Sequence, residues 1–137
     1  MPPHQHGERG FSLVELLVVI VVIGLLAAIA IPSYLSQRHR ALDVTVQHDL
    51  RTAATAIEAA RTAEGELPSA ADDVRADAAL STGTTIDVVV DGEDYCLVGD
   101  HSSGPGPTHP WVYDTARGGL VTDASATCAG TVTFALP

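Results

Sequence analysis

The acidic side chain with the most unusual surroundings is Glu15. It is the one charged group within residues 11–31, and Leu16–Ile31 is apolar throughout apart from Gly24. A carboxylate in such a segment costs about 3 kcal/mol at the centre of a bilayer on insertion scales, so intramembrane acids are usually paired or functional. The chemistry expected of Glu15 is ion pairing with a cation. The alternative is that Glu15 lies at the level of the lipid headgroups and is solvated.

Cys96 and Cys128 are the two cysteines of the chain. Neither lies in a Cys-x-x-Cys pair or beside a histidine, so a zinc site has little support. In a domain exported across a membrane these cysteines would form one disulfide, whereas in a cytosolic domain they would be two buried thiols. The apolar segment around Glu15 argues for export, and we therefore expect the disulfide.

The remaining reactive side chains do not form a recognisable catalytic or metal site. His4 and His6 offer only two ligands, and Asp91, Glu93 and Asp94 lack the regular spacing of a calcium loop. Residues 102–110 form a glycine- and proline-rich segment, and the nearby serines and histidines (His101, Ser102, Ser103 and His109) show no nucleophile-elbow sequence. No phosphate-binding glycine motif is present in the sequence. The sequence therefore predicts no enzyme activity, no metal and no other cofactor.

Charge is distributed unevenly along the 137 residues. Residues 1–63 hold five acids and five arginines, whereas residues 64–137 hold twelve acids and two arginines, and the chain has no lysine. The C-terminal part therefore carries the whole formal charge of −10. An acidic domain is a poor match for phosphate backbones, so direct nucleic-acid binding by this chain is not expected.

The N-terminal third predicts a membrane-spanning helix that continues as an amphipathic one. Residues 11–31 are long enough to cross a bilayer, and a secretory signal cut after Ala28 or Ala30 is the alternative. Beyond Pro32, residues 32–64 repeat apolar side chains at helical spacing, and Gly65 and Pro68 predict the end of a helix that starts near Phe11. The apolar face is Leu35, Leu42, Val46, Leu50, Ala53, Ala54, Ile57 and Ala60. The polar remainder is assigned to Arg38, Arg40, Asp43, Asp49, Arg51, Glu58 and Arg61.

Two residues inside this predicted helix disfavour regular helical geometry. Pro32 lacks an amide donor and Gly24 has low helix propensity, so together they allow a kink or local melting. Close packing of helices in a membrane is an equally good reason for Gly24. Both residues are candidate assembly positions.

Residues 65–137 predict a connecting segment followed by a small antiparallel sheet. A short helix over Ala71–Leu80 is expected, begun by Ser69 or by nearby acids. The turn residues Asp91-Gly92 and Gly118-Gly119 separate neighbouring strands, and residues 102–110 form a loop. The predicted strands are Thr84–Val90, Asp94–Val98, Trp111–Tyr113, Leu120–Thr122 and Thr131–Ala135. The fold class is therefore α+β, a long N-terminal helix packed on a small antiparallel sheet.

The run Arg9-Gly10-Phe11-Ser12-Leu13-Val14-Glu15-Leu16-Leu17-Val18-Val19-Ile20, followed by Gly24 and Pro32, resembles the N-terminus of type IV prepilins and pseudopilins. The resemblance implies a leader of residues 1–10, cleavage between Gly10 and Phe11 by a membrane peptidase, and N-methylation of Phe11. It also implies that Glu15 of one subunit pairs with the Phe11 amine of its neighbour. The close match covers about the first third of the chain. Beyond it, the chain is similar to pilins only in layout, including a C-terminal cysteine pair.

The resemblance implies a structural subunit, a pilin or minor pilin, of a surface filament used for adhesion, motility or DNA uptake. The expected partners are other pilins, the prepilin peptidase and methylase, a separate assembly ATPase and, before assembly, the cytoplasmic membrane. The leader would lie inside the cell and residues 65–137 outside. One alternative is a pseudopilin of a type II secretion or competence system, and a more remote one is a membrane-anchored binding protein or enzyme.

Overall fold

The computed structural model describes residues 10–62, 65–102 and 109–137. The helix α1 spans Leu13–Ala60, and five strands follow: β1 Thr84–Asp91, β2 Asp94–His101, β3 Trp111–Asp114, β4 Gly119–Val121 and β5 Phe134–Leu136. Short 3-10 turns occur at Ala71–Asp73 and Thr115–Arg117. The chain divides into two compact units, residues 1–36 and 37–137. The predicted α+β architecture is confirmed.

The helical part of the first unit has an apolar and solvent-exposed surface. Large hydrophobic side chains from Leu13 to Ile31 are about half to four-fifths exposed, with Ile29 at 77%. Within the part of the chain that the structure describes, α1 is the one helix long and apolar enough to cross a membrane. The helix runs unbroken through Gly24 and Pro32, so the local melting that these residues allow is not present in this structure.

The second unit packs its part of α1 against one face of the sheet. Four fully buried side chains one or two helical turns apart, Val46, Leu50, Ala53 and Ile57, form this contact. At Gly99 on β2 the helix and the sheet approach closely, because a Cβ added there would lie 2.7 Å from Cγ1 of Val46. The sheet supplies Ile86, Val88, Leu97 and Leu136 to the same core.

The five strands are ordered β4-β3-β2-β1-β5, and all neighbours are antiparallel. The strands β4 and β5 are consecutive in the chain but lie at opposite edges of the sheet. Residues 122–133 therefore cross from one edge to the other. They cross the sheet face opposite α1, where Ala126 and Cys128 cover Val89, Cys96 and Val112. Both faces of the sheet are thus at least partly covered.

The predicted starts of β1, β2 and β3 are confirmed, and the other strand boundaries differ from the predicted ones by one to three residues. The hairpin strands β1 and β2 are longer than expected, because their pairing continues from Asp91–Asp94 to Thr84–His101. The strand β5 begins at Phe134 rather than Thr131. Before it, the Thr133 amide donates to the Val88 carbonyl at 2.7 Å and the Thr133 hydroxyl accepts from the Val90 amide at 3.1 Å. A side-chain hydroxyl here takes the place of a ladder carbonyl, which ends the regular strand.

The predicted helix over Ala71–Leu80 is wrong. The structure has a 3-10 turn at Ala71–Asp73 followed by irregular turns. Ala70 occupies the position before this turn and provides no side-chain cap, so the cost of nucleating a longer helix is not offset. The turns nevertheless bury Val74 and Ala78 in the core on the helix side of the sheet.

Candidate assembly site

The segment before α1 leaves the predicted processing position open. Gly10, Phe11 and Ser12 precede the helix, which begins at Leu13. Phe11 is 82% exposed, and a Cβ added at Gly10 would meet no atom within 4 Å. The Gly10–Phe11 peptide bond therefore lies in an exposed, non-helical segment. A peptidase requires such access to the backbone, since helical residues hold their amides and carbonyls in internal hydrogen bonds.

Glu15 forms a reciprocal cap with Ser12 at the start of α1. The Ser12 amide donates to Oε2 of Glu15 at 2.9 Å, and the Val14 amide donates to the Ser12 hydroxyl at 3.3 Å. This arrangement is a capping box, in which two orphan donors of the first helical turn are satisfied. The Ser-x-x-Glu spacing before an apolar run is a local signal that predicts this cap. Glu15 therefore has a hydrogen-bond partner within its own chain.

The other predicted site residues fall into two groups. Gly24 and Pro32 lie with Glu15 in the first unit, and a Cβ added at Gly24 would meet no atom within 4 Å. Gly24 therefore leaves room for another helix to approach closely. Cys96 and Cys128 lie in the second unit.

The predicted disulfide joins the sheet to the segment that crosses it. Sγ of Cys96 lies 1.99 Å from Sγ of Cys128, with Cα atoms 5.7 Å apart. Cys96 is on β2 and points away from α1, while Cys128 belongs to the crossing segment, residues 122–133. The bond therefore holds this segment on the sheet near its middle.

Two aspartates assigned to the polar face of the helix are in fact buried, which corrects that assignment. Asp49 is 1% exposed and accepts three hydrogen bonds: from the Ser81 amide (3.1 Å), the Ser81 hydroxyl (3.0 Å) and the Thr84 hydroxyl (2.6 Å). Asp43 is 9% exposed and accepts from Nε1 of Trp111 at 3.0 Å. These carboxylates fasten α1 to the sheet domain on two sides, and their partners lie 32 to 68 residues away in sequence.

Tyr95 is a third polar group fastened to the helix. It is 2% exposed, and its hydroxyl donates to the Ala54 carbonyl at 3.2 Å. Burial raises the pKa of Tyr95, and the negative charge of Glu58 raises it further. Nearby, the Arg61 guanidinium binds the Glu58 carboxylate at 2.9 Å and lowers the pKa of Glu58.

We expect the raised pKa of Tyr95 to produce alkaline instability. The unfolded chain loses the tyrosine proton near pH 10, whereas the folded domain retains it. Stability from this group is therefore fully present below pH 10, and above it the free energy of unfolding should fall by about 1.4 kcal/mol per pH unit. Urea unfolding between pH 8 and 11.5 measures this slope. The chain has no lysine and both cysteines are in the disulfide, so few other groups titrate there.

Tyr95→Phe should remove most of that slope while costing about 1 kcal/mol at neutral pH for the lost hydrogen bond to Ala54. Tyr113→Phe is the matched control and should leave the slope in place. An unchanged slope in Tyr95→Phe would contradict the assignment.

The weaker candidate sites do not gain support from the structure. Asp91, Glu93 and Asp94 lie at the tip of the β1–β2 hairpin. Among residues 10–62, 65–102 and 109–137, no group of three or more histidine, cysteine or acidic side chains is arranged to hold a metal. His4, His6 and most of the glycine- and proline-rich loop lie outside the described residues.

Comparison with known proteins gives matches at the N-terminus and beyond it. Residues 5–31 match the family model for the prokaryotic N-terminal methylation motif. Type IV wide pilus major component PilA4 of Thermus thermophilus is 32% identical over 103 residues, 73% of this chain and 79% of that protein. Fimbrial protein Q of Moraxella bovis is 39% identical over 81 residues, 57% of this chain and 51% of that protein. Type II secretion system core protein G of Pseudomonas aeruginosa is 32% identical over 54 residues, 39% of this chain and 38% of that protein.

These matches differ in extent. The chain spans about half the length of fimbrial protein Q and 40% of the type IV major alpha-pilin of Moraxella bovis. The match to the Thermus thermophilus protein is more extensive, because it continues from the N-terminal helix into the sheet domain. With the methylation motif, the exposed apolar helix and the antiparallel sheet, it leads to one conclusion: the chain belongs to the type IV pilin family.

Proposed function

We propose that this chain is a structural subunit, a pilin or minor pilin, of a type IV pilus-like surface filament, and that it is not an enzyme. The observation that carries the proposal is the exposed apolar surface of residues 13–31, which lie within the methylation motif matched over residues 5–31. Such a surface is stable only in lipid or against other apolar helices. A single-pass precursor held in the cytoplasmic membrane, with residues 37–137 outside, uses the first environment. The filament uses the second.

We further propose that a prepilin peptidase cuts between Gly10 and Phe11 and that Phe11 is then N-methylated. The exposure of this segment supports the proposal. The chain contains no phosphate-binding glycine motif, so a separate ATPase would drive extrusion.

Assembly would then change the partner of Glu15. Cleavage creates a cationic amine at Phe11, and a neighbouring Glu15 carboxylate can pair with it in an apolar surrounding. Buried ion pairs of this kind fix register better than they add stability. Gly24 would permit close contact between the apolar helices of neighbouring subunits. Pro32 would permit each helix to bend where it leaves these packed apolar segments.

A pseudopilin is the second candidate, favoured by the similarity to core protein G. The disulfide and the longer match to a pilus component favour a pilin. A pilin filament would serve adhesion, motility or DNA uptake, whereas a pseudopilin would belong to a type II secretion or competence system.

The deciding experiment is intact-mass analysis and N-terminal sequencing of the protein isolated from its native membrane. A chain that begins at Phe11 and carries one added methyl group supports the proposal. A chain that begins at Met1, or after Ala28 or Ala30, contradicts it and indicates an anchored or secreted protein.

Glu15→Ala should leave cleavage and methylation intact but reduce the yield of filaments sheared from the cells by at least about tenfold. The reason is loss of the ion pair with the neighbouring Phe11 amine, which would set the register between subunits. Ser12→Ala is the informative control, since it removes the hydroxyl of the capping box but keeps the carboxylate. Normal filament yield from Glu15→Ala would show that this carboxylate does not set the register.

A further inference from the structure

Charged side chains without a partner are segregated within the second unit. Among the described residues, Arg61, Arg75 and Arg117 each have an acidic partner in their own subunit. The arginines Arg38, Arg40 and Arg51 are exposed on α1 and have no such partner. The described acids with no cation or hydrogen-bond donor are all outside the helix: Glu66, Asp73, Asp77, Asp87 and Asp91. Within the described residues, therefore, no ion pair neutralises the three arginines or the five acids.

Two of the unpaired arginines share one side of the helix. Arg40 and Arg51 are eleven positions apart, which places them within about 20° around the helix and about 16 Å along it. Val44 lies between them and is 64% exposed. We call Arg40, Val44 and Arg51 the basic flank. It has an apolar centre with a cation at each end and no covering element in the described part of the subunit.

The orientation of the basic flank follows from the two buried aspartates. Arg40 and Arg51 lie about 60–80° from Asp43 around the helix but about 160–180° from Asp49. Asp43 binds Trp111 of β3, which lies on one side of β2 in the sheet. The basic flank is therefore on the β3–β4 side of the domain.

Three of the five unpaired acids lie on the opposite side. Glu66, Asp73 and Asp77 belong to the connecting segment, residues 65–80, and all three are exposed. The 3-10 turn of this segment contacts β5. Ser81, the residue that follows the segment, donates its amide hydrogen bond to Asp49 of α1. We call these three residues the acidic flank, which lies on the β1–β5 side of the domain.

We propose that the basic flank of one subunit docks against the acidic flank of a second copy of this chain. The proposal rests on the proposed filament function and identifies a side-by-side contact within it. The two flanks are different surfaces on opposite sides of one domain, so the contact is heterologous: each subunit uses one flank toward each neighbour. Such a contact can repeat without closing into a ring, as a helical filament requires. Opposite potentials would favour the correct register, and like charges would disfavour others.

The experiment compares charge reversals in the full chain expressed in its native host, with sheared filaments as the readout. Arg51→Glu should reduce filament yield at least about tenfold, because like charges then face each other across the contact. Arg38→Glu is the matched control. It makes the same charge change on the same helix but lies about 20° from Asp49, away from the basic flank, and its yield should stay within about twofold of the wild type.

A combined reversal tests the pairing itself. Arg40→Glu with Arg51→Glu, and Asp73→Arg with Asp77→Arg, should each reduce filaments, and the four changes together should restore them. Equal losses from Arg38→Glu and Arg51→Glu, or no recovery in the combined variant while each variant melts like the wild type, would overturn this contact. Absence of filaments from the wild type itself would instead contradict the proposed function.

Discussion

Asp49→Ala should destabilise the folded domain by about 3–5 kcal/mol, because it removes three hydrogen bonds to a charged group, each worth about 1.5–3 kcal/mol, and leaves their donors without a partner. The Asp49 carboxylate accepts from the Ser81 amide, the Ser81 hydroxyl and the Thr84 hydroxyl. Thr84 is 1% exposed, so its hydroxyl cannot turn to water once the carboxylate is gone. A small domain has about 5–15 kcal/mol of total stability, so the loss is a large fraction of it.

Urea unfolding of the wild type and the variant at pH 7 measures this effect as a shift in midpoint at unchanged slope. Asp73→Ala is the matched control, because Asp73 is exposed and has no partner among the described residues; it should change stability by less than about 0.5 kcal/mol. A loss below about 1 kcal/mol in Asp49→Ala would show that the three bonds are replaced by solvent.

The same aspartate shows where sequence reasoning reached its limit. The apolar spacing from Val46 to Ile57 identified the buried helix face correctly. Asp43 and Asp49 adjoin that face, and their residue type alone assigned them to solvent. The partners that make their burial favourable, Trp111 and Ser81, are distant in sequence, so helical periodicity carries no information about them.

Local signals served better at the N-terminus and in the hairpin. The apolar run and the end of the helix near residue 60 follow from residue type over short distances. The turn at Gly92, where φ is +65°, follows in the same way. The Ser12–Glu15 cap is also local and readable from its spacing. The interpretation of Glu15 concentrated on a partner in another subunit and therefore missed its hydrogen bond within the chain.

The path of the chain after β4 could not be predicted in this way. Short strands of similar composition permit several orders, and nothing local in residues 122–133 indicates that they cross the sheet. The cysteine pair is the one long-range constraint in the sequence, and it links residues 32 apart. It predicts that Cys128 lies close to β2 but not that β5 continues to the far edge beside β1.

Replacing both cysteines by serine should destabilise the domain by about 3–4 kcal/mol, the chain-entropy value for a loop of this length. The other contacts hold the crossing segment weakly, because residues 122–125 and 129–133 are exposed. Apart from the hydrogen bonds of Thr133 to β1, the segment is held by the packing of Ala126 and Cys128 on Val89 and Cys96. Loss of the bond should therefore free this segment before the rest of the domain unfolds. Hydrogen exchange should show lost protection at the β5–β1 pairing, while the helix contact at Leu50 retains it.

Reduction of the wild-type protein should reproduce the effect and reoxidation should reverse it, which separates loss of the covalent bond from any effect of the serine side chains. The wild type without reductant, carried through the same buffer exchange, is the control. If the double variant and the wild type unfold at the same urea concentration, the apolar contacts of the crossing segment suffice to hold β5 in place. A uniform loss of protection, equal at β5 and at Leu50, would instead mean that the disulfide acts only on the unfolded chain and that the domain opens as one unit.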